Sequence, residues 1–490
     1  MPVFIELAPE RIDYPGPEHA FSPSTHYPEC PWGEETISMV KNPVYEMVRN
    51  SFAHAGMDRE HWGTKHWNPL GVYIHPGDTV LIKPNWVENK NKNSAVHDNL
   101  QCLVTNPSVV RVIIDYALIA LNDTGRLIVG DAPMQSCDLE EMFQITGYNK
   151  LWDFYNRQNV TLEIADLRKY RTKDISRGVL SEPIFNDAAK AINVDLASHS
   201  MHADKDTDHP QYKVTDYLQT DTQDYHNGGK HIYEVNKLAL QADVIINVPK
   251  PKTHRLAGMT AAVKNFVGIT YEKASLPHRI EGDVQTGKGD AYNKRSVWKE
   301  WMHFFDEKRT ANAITRHYRY ARVNDLMMKA CYVMGALITK DHYRIGSWYG
   351  NDTIWRTAVD LNYILNYADN NGIIKDIKQR TILTIGDMIV CGEKEGPVGP
   401  TPKPLSMIMI ADNCLAFDRI MCRIMGFDEN RIGHLHHPDV PTRFGYQNWC
   451  ELESENVWID GTLNGTIAEF EGRKEWAFEP YSTWKGHIEK

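Results

Sequence analysis

An α/β fold with a mostly parallel sheet and helices on both faces is what this sequence predicts, and three observations predict it. Short runs of β-branched and other apolar residues recur along the chain, and each gives way to polar residues, as buried strands do when they enter loops. Between two of these runs lies a stretch whose apolar residues fall at helical spacing. The resulting strand, helix, strand order implies a right-handed parallel crossover.

The first 70 residues are rich in Pro, His and Trp, and only Asn42 to Phe52 reads as a helix; residues 1–70 are expected to form an N-terminal extension. Asp78-Thr-Val-Leu-Ile-Lys-Pro-Asn85 is the first core strand, with Lys83 and Asn85 at its carboxyl end. Asn106-Pro107 starts a helix carrying Val110, Ile113, Ile114, Ala117 and Leu121. After Gly125 a second strand, Arg126 to Gly130, runs into Asp131-Ala-Pro133. Thr161 to Ala165 ends at Asp166, Asp243 to Val248 ends at Lys250, and Thr381 to Ile385 ends near Asp387. A last strand, Leu405 to Ala411, precedes a helix through Leu415, Ile420, Ile424 and Met425 that stops at Gly426. The core therefore spans about 71–430, with insertions at about 168–229 and 275–350, and residues 431–490 read as an irregular tail. The second insertion opens with a charged, glycine-bearing loop, Leu276 to Asp290, a candidate lid, and continues into helical sequence.

Composition narrows the class. Of 490 residues 42% are hydrophobic and 24% charged, with 64 Asp and Glu against 54 Lys and Arg, a net charge of −10. These values exclude a disordered, collagenous or disulfide-scaffold chain. The mild acidity argues against nucleic-acid binding as the main activity. The N-terminus lacks a basic start with a long apolar run, so a cytoplasmic location is expected. The longest apolar runs, Val244 to Val248 and Leu405 to Ala411, are too short for a membrane span. Eight cysteines occur without a C-x-x-C pair, which removes zinc-ribbon and ferredoxin modules. No dinucleotide, P-loop or nucleophile-elbow motif is present.

In open parallel sheets ligands bind beyond the carboxyl ends of the strands, so Lys83, Asn85, Asp131, Lys250 and Asp387 are expected to converge on one crevice. The block from Asn247 to Gly268 is the densest in chemistry: Lys250, Lys252 and His254 in a loop, then a helix with Met259, Val263, Phe266 and Val267 on its apolar face. Thr260 and Lys264 would share another face of that helix, four residues apart. His254 is a candidate acid or base, and Lys264 a base or imine-forming nucleophile if burial lowers its pKa. Lys83, Asn85, Asp131, Lys250, Lys252, Thr260 and Asn265 are the candidate substrate-binding residues. Asp131, Asp387 and Glu395, with Glu393, offer oxygen ligands for a divalent metal. His75, His97 and the His434-Leu-His-His437 tract show no H-E-x-x-H pair, and an exposed polar tail explains the tract equally well. Lys308, Arg309, Arg316, Arg319 and Arg322 interleave with Tyr318 and Tyr320, a mixture that suits RNA or a nucleotide-sugar phosphate as well as a solvated helix.

Ile82-Lys-Pro-Asn85, Gly130-Asp-Ala-Pro133, Pro249-Lys-Pro-Lys-Thr-His254 through Lys264-Asn265, Ile385-Gly-Asp387 with Glu395-Gly-Pro397, and Phe417-Asp-Arg-Ile to Met425-Gly-Phe427 together resemble the group catalogued as domain of unknown function 362. The resemblance runs from about 78 to 428 and implies membership without a reaction. Relatives with ferredoxin-type cysteines exist, and this chain lacks them. Relatives with such an N-terminal extension are often encoded beside capsule or exopolysaccharide genes, which implies sugar chemistry. The segment from His254 to Lys264 also looks like a block of nickel-pincer lactate racemases, in which the lysine anchors the pincer nucleotide, the histidine is an acid/base group and a later histidine, here His278, ligates nickel. The following segment, Lys273 to Gly282, lacks the glycine-proline block of those enzymes, so the pincer cofactor is not expected on Lys264.

The resulting expectation is an enzyme acting on a small anionic substrate, a sugar acid or nucleotide sugar, by epimerisation, racemisation or elimination. The alternative is a non-catalytic protein that binds an anionic ligand or assists assembly; RNA binding through residues 308–322 ranks third. An abnormally low Lys264 pKa separates the first two, since a binding lysine stays charged.

Overall fold

Eleven strands build the main sheet. They are β1 (Val3–Leu7), β2 (Thr79–Lys83), β3 (Arg126–Asp131), β4 (Glu163–Asp166), β5 (Val244–Asn247), β6 (Lys252–His254), β7 (Gly258–Thr260), β8 (Thr381–Glu395), β9 (Gly399–Ala411), β10 (Asn456–Ile459) and β11 (Thr462–Thr466). The computed structural model describes residues 2–490 except 97–98, 173, 177–178, 181–182, 187–189 and 209, so His97 lies outside the described residues. The strand order is β11-β10-β1-β9-β8-β5-β2-β3-β4, with β6 beside β8 and β7 beside β6. Six of the ten pairings are parallel, including every one from β8 through β5, β2 and β3 to β4.

The strands are apolar throughout because both faces are covered. Val80 and Ile82 of β2 point to the layer formed by α1 (Pro43–His54), α2 (Pro107–Leu121), α3 (Leu139–Thr146) and α4 (Tyr148–Arg157). Leu81 points the other way, to a layer that includes the short α5 (Ala262–Asn265). The Asn106 side chain caps α2 by accepting from Ser108 N–H, with Pro107 in the first turn, as the Asn-Pro pair predicts. The second insertion folds into a hairpin of α6 (Val297–Ile314) and α7 (Tyr318–Thr339). It is followed by α8 (Ile354–Tyr367), and α9 (Cys414–Ile424) completes the layer that Leu81 faces. A two-residue pairing of Tyr212–Lys213 with Arg279–Ile280 joins the two insertions.

Three expectations need correction. The helix placed on Met259 to Val267 is only α5 plus a 3₁₀ turn, Phe266–Ile269, because Gly258–Thr260 turns back to pair with Lys252–His254. Thr260 and Lys264 therefore do not share a helix face. The strand expected to stop near Asp387 runs on to Glu395, since that carboxylate is neutralised inside the sheet instead of facing a loop. The tail after residue 430 is not irregular throughout: it supplies β10 and β11, and buried Phe470, Trp476, Trp484 and Ile488 join the core around α9. Among the described residues no helix is long and apolar enough to cross a membrane. All eight cysteines are free and six are buried.

Candidate active site

His254 and Gly258 bracket the tight turn between β6 and β7. Gly258 takes a φ of +76°, a left-handed conformation that suits glycine. Within the turn the N–H groups of Leu256 and Ala257 donate to His254 Nδ1 at 3.0 and 3.1 Å. A backbone N–H can only donate, so Nδ1 is the unprotonated nitrogen and the ring proton sits on Nε2. His278 is held in the opposite sense: its Nδ1 lies 2.7 Å from the Leu276 carbonyl, which can only accept, so Nε2 carries the lone pair. Burial, followed by the nearby Lys264, pushes both imidazoles down, His278 to about 3 and His254 well below its ordinary value. Both rings are neutral, one offering a donor and the other an acceptor.

These two residues and Lys264 line one cavity of about 470 Å³, a volume suited to a small-molecule ligand. Asn85, Asp131, Lys252, Thr260 and Asn265 line it as well. Lys264 has no hydrogen bond or ion pair among the described residues, and burial with Lys273 and Arg255 nearby lowers its pKa to about 7. Lys252 is also lowered to about 7, first by burial and then by Lys250; it donates to Asn85 Oδ1 at 2.6 Å and to the Leu103 carbonyl at 2.7 Å. Asn85 in turn donates to Asn265 Oδ1 at 2.9 Å, and Asn265 to Asn247 Oδ1 at 2.7 Å, so one chain of amides orients the floor. Lys273 reaches the Ala132 carbonyl at 2.7 Å, and burial lowers it to about 8.

The cavity's charge is unbalanced. Its four lining carboxylates are all paired within the protein: Asp131 with Lys83, Asp216 and Asp306 with Arg309, and Asp325 with Lys329. Arg255 and Arg344, also in the wall, make no ion pair among the described residues; Arg344 rests on the Tyr332 ring, 4.5 Å from its centroid. Arg255 directly follows His254 yet escaped notice as a site residue, and Arg344 lies in the second insertion where no spacing marks it. Part of the roof is the α6–α7 hairpin, through Met302, Asp306, Arg309, Asp325, Met328 and Lys329. The loop expected as a lid supplies Leu276 and His278, and its end is pinned to the start of α8, where Thr353 Oγ1 donates to buried Asp290 Oδ2 at 2.6 Å.

Four expected residues lie elsewhere. Lys83 is fully buried, 2.7 Å from Asp131 Oδ1. Asp131 also accepts from Ala132 and Trp86 N–H at 2.9 and 2.6 Å, so its oxygens are occupied. Lys250 lies 2.6 Å from Asp387 Oδ2, and Asp387 further accepts from Tyr14 Oη at 2.5 Å and Asn106 N–H at 2.8 Å. A register shift between Met388 and Val390 leaves the Val390 N–H to Tyr14 and its carbonyl to Lys250. Glu395 is exposed at the end of β8. Asp131, Asp387 and Glu395 thus do not form a metal centre, and among the described residues no group of three or more His, Cys, Asp and Glu could hold one. His434 is not part of an exposed tract: it is buried, 3.0 Å from Asp418 Oδ2. Asp418 Oδ1 accepts from Ala262 N–H at 2.6 Å and so fixes the start of the helix that carries Lys264.

A family model described as Domain of unknown function (DUF362) matches residues 80–204 and 207–423. The chain belongs to the DUF362 family. No curated protein and no solved structure matches it. The DUF362 match contains the pairings of Lys83 with Asp131, Lys250 with Asp387, Lys252 with Asn85 and Ala262 with Asp418, so separate sequence elements of this DUF362 chain interlock in space. Of the three residues singled out by likeness to the racemases, Lys264 presents a free amine and His278 a lone pair able to ligate a metal, while His254 presents a proton.

Proposed function

We propose that this DUF362 protein is an enzyme acting on a small anionic substrate, a sugar acid or nucleotide sugar of the kind used in polysaccharide assembly. The reaction is epimerisation, racemisation or elimination beside a carboxylate. The observation that carries this reading is one cavity in which unpaired cations accompany two imidazoles of opposite proton assignment. Arg255 and Arg344 would hold the substrate's charge. The Nε2–H of His254 would donate to the oxygen on which negative charge develops when a neighbouring proton leaves. An amine held to about 7 is part neutral near neutral pH, which suits Lys264 as the base. The part of Lys264 that is ammonium would serve the opposite direction, returning a proton on one face while His278 Nε2, which carries a lone pair, takes the proton from the other.

The test is solvent exchange. In D2O, with a panel of aldonates, uronates and nucleotide sugars, the protein should place deuterium at the carbon beside the carboxylate, read by mass spectrometry. Lys264→Met and His278→Phe should abolish incorporation. Ligands that raise the melting temperature without any exchange would replace this reading with the binding one.

A further inference from the structure

We infer that the outer face of the α6–α7 hairpin docks on an anionic membrane surface. Twelve of the 25 large apolar side chains exposed among the described residues fall between Val297 and Ile338. On α7 the exposed positions Tyr320, Val323, Met327, Met334 and Leu337 keep spacings of three, four, seven and three residues along one stripe. The opposite side of the helix is buried, with Ala321, Asp325, Gly335 and Ala336 turned inward. With the inner side already covered by the protein, the outer apolar stripe is the one left facing water.

Charge selects the cover. Between residues 294 and 340 seven Lys and Arg are exposed and one acid, Glu300, which pairs with Arg295, in a chain whose net charge is −10. A second copy would bring this basic rim against itself with no free exposed acid to meet it. A bilayer containing anionic lipid satisfies both properties: the apolar stripe enters the interface, Trp301 and Tyr320 sit at headgroup level, and Lys308, Arg319 and Arg322 meet phosphates. The hairpin lies on the membrane without crossing it. Its inner face supplies Met302, Asp306, Asp325 and Met328 to the cavity, so docking seats one wall of the candidate active site.

The experiment is vesicle flotation of the full chain with vesicles of equal parts phosphatidylglycerol and phosphatidylcholine, against pure phosphatidylcholine. The protein should float with the first, weakly with the second, and less as salt rises. Leu326 and Leu337 are each 67% exposed, so Leu326→Glu with Leu337→Glu should leave the circular dichroism and melting temperature unchanged. That pair of changes, and separately Arg319→Glu with Arg322→Glu, should each lower the partition coefficient by roughly tenfold or more. Failure to bind either vesicle overturns the inference, and a dimer dispersed by Leu326→Glu in light scattering would give the face to a second copy. Binding that survives the leucine changes overturns it too, as the apolar stripe would then have no part. None of these outcomes depends on the proposed reaction.

Discussion

Lys250 and Asp387 bury a complete ion pair, Nζ to Oδ2 2.6 Å, whereas Lys264 meets no carboxylate at all among the described residues. Removing either lysine should therefore act in opposite ways. Lys250→Met leaves the Asp387 charge buried without its cation, which costs about 3–5 kcal/mol. Lys264→Met removes an uncompensated charge and should leave stability unchanged or raised while ending activity. Urea denaturation of the two variants checks this; equal destabilisation would contradict it.

Asp418→Asn tests the support beneath Lys264. The carboxylate accepts from Ala262 N–H and stands against His434. Losing its charge should cost about 1–2 kcal/mol, as for a lost cap or a charged hydrogen bond. It should also change the pH at which Lys264 becomes reactive towards an amine-directed reagent, which peptide mapping reads out. A variant with unaltered Lys264 reactivity would show that the helix start is fixed by other contacts.

Gly268→Ala should be severe. A Cβ there would fall 1.8 Å from Asp131 Oδ1 and 2.6 Å from Lys83 Nζ, and the Gly268 carbonyl already accepts from Ala132 N–H at 2.7 Å. The ion pair has to part, so the expected loss is about 3–5 kcal/mol in denaturant titrations. A loss within about 1 kcal/mol would mean that the backbone yields more readily than a packed core does.

Anion binding should depend on pH with a definite sign. Burial holds Lys252 and Lys264 at about 7 and Lys273 at about 8. In the unfolded chain each titrates near 10.4. Between those values the unfolded chain holds protons that the folded one has released, so these groups make stability rise with pH from about 7 to about 10. Below about 7 the folded cavity carries unpaired positive charge, and an anion relieves it. Sulfate should raise the melting temperature more near pH 6 than near pH 9, measured by thermal shift against chloride at equal ionic strength. A larger effect at the higher pH would reverse the sign and sink the assignment.

The strands of the parallel block and α2 were legible because buried strands and a capped amphipathic helix write themselves as apolar runs, a 3.6 period and an Asn-Pro start. Much of the site was legible for a related reason: Asn85, Asp131, Lys252, His254, Thr260, Lys264 and Asn265 follow strands or sit in one dense block, and all line the cavity. What sequence does not encode locally is partnership. Lys83 and Lys250 look like Lys252 in their strand-end settings, yet each meets an aspartate from a distant segment and becomes structural. Asp387 hid the continuation of β8 for the same reason. β1 is five residues long in a proline-rich context, and its place in the sheet depends on residues more than four hundred positions away.

That placement shapes how the protein is made. β1 pairs with β9 on one side and β10 on the other, so it waits for two neighbours that follow it by about four hundred residues or more. Its closure adds contacts of very large sequence separation, which slows folding. In the interval Val3, Phe4 and Ile5 stand unpaired, an edge that a holdase would shield and that a domain-swapped partner could capture.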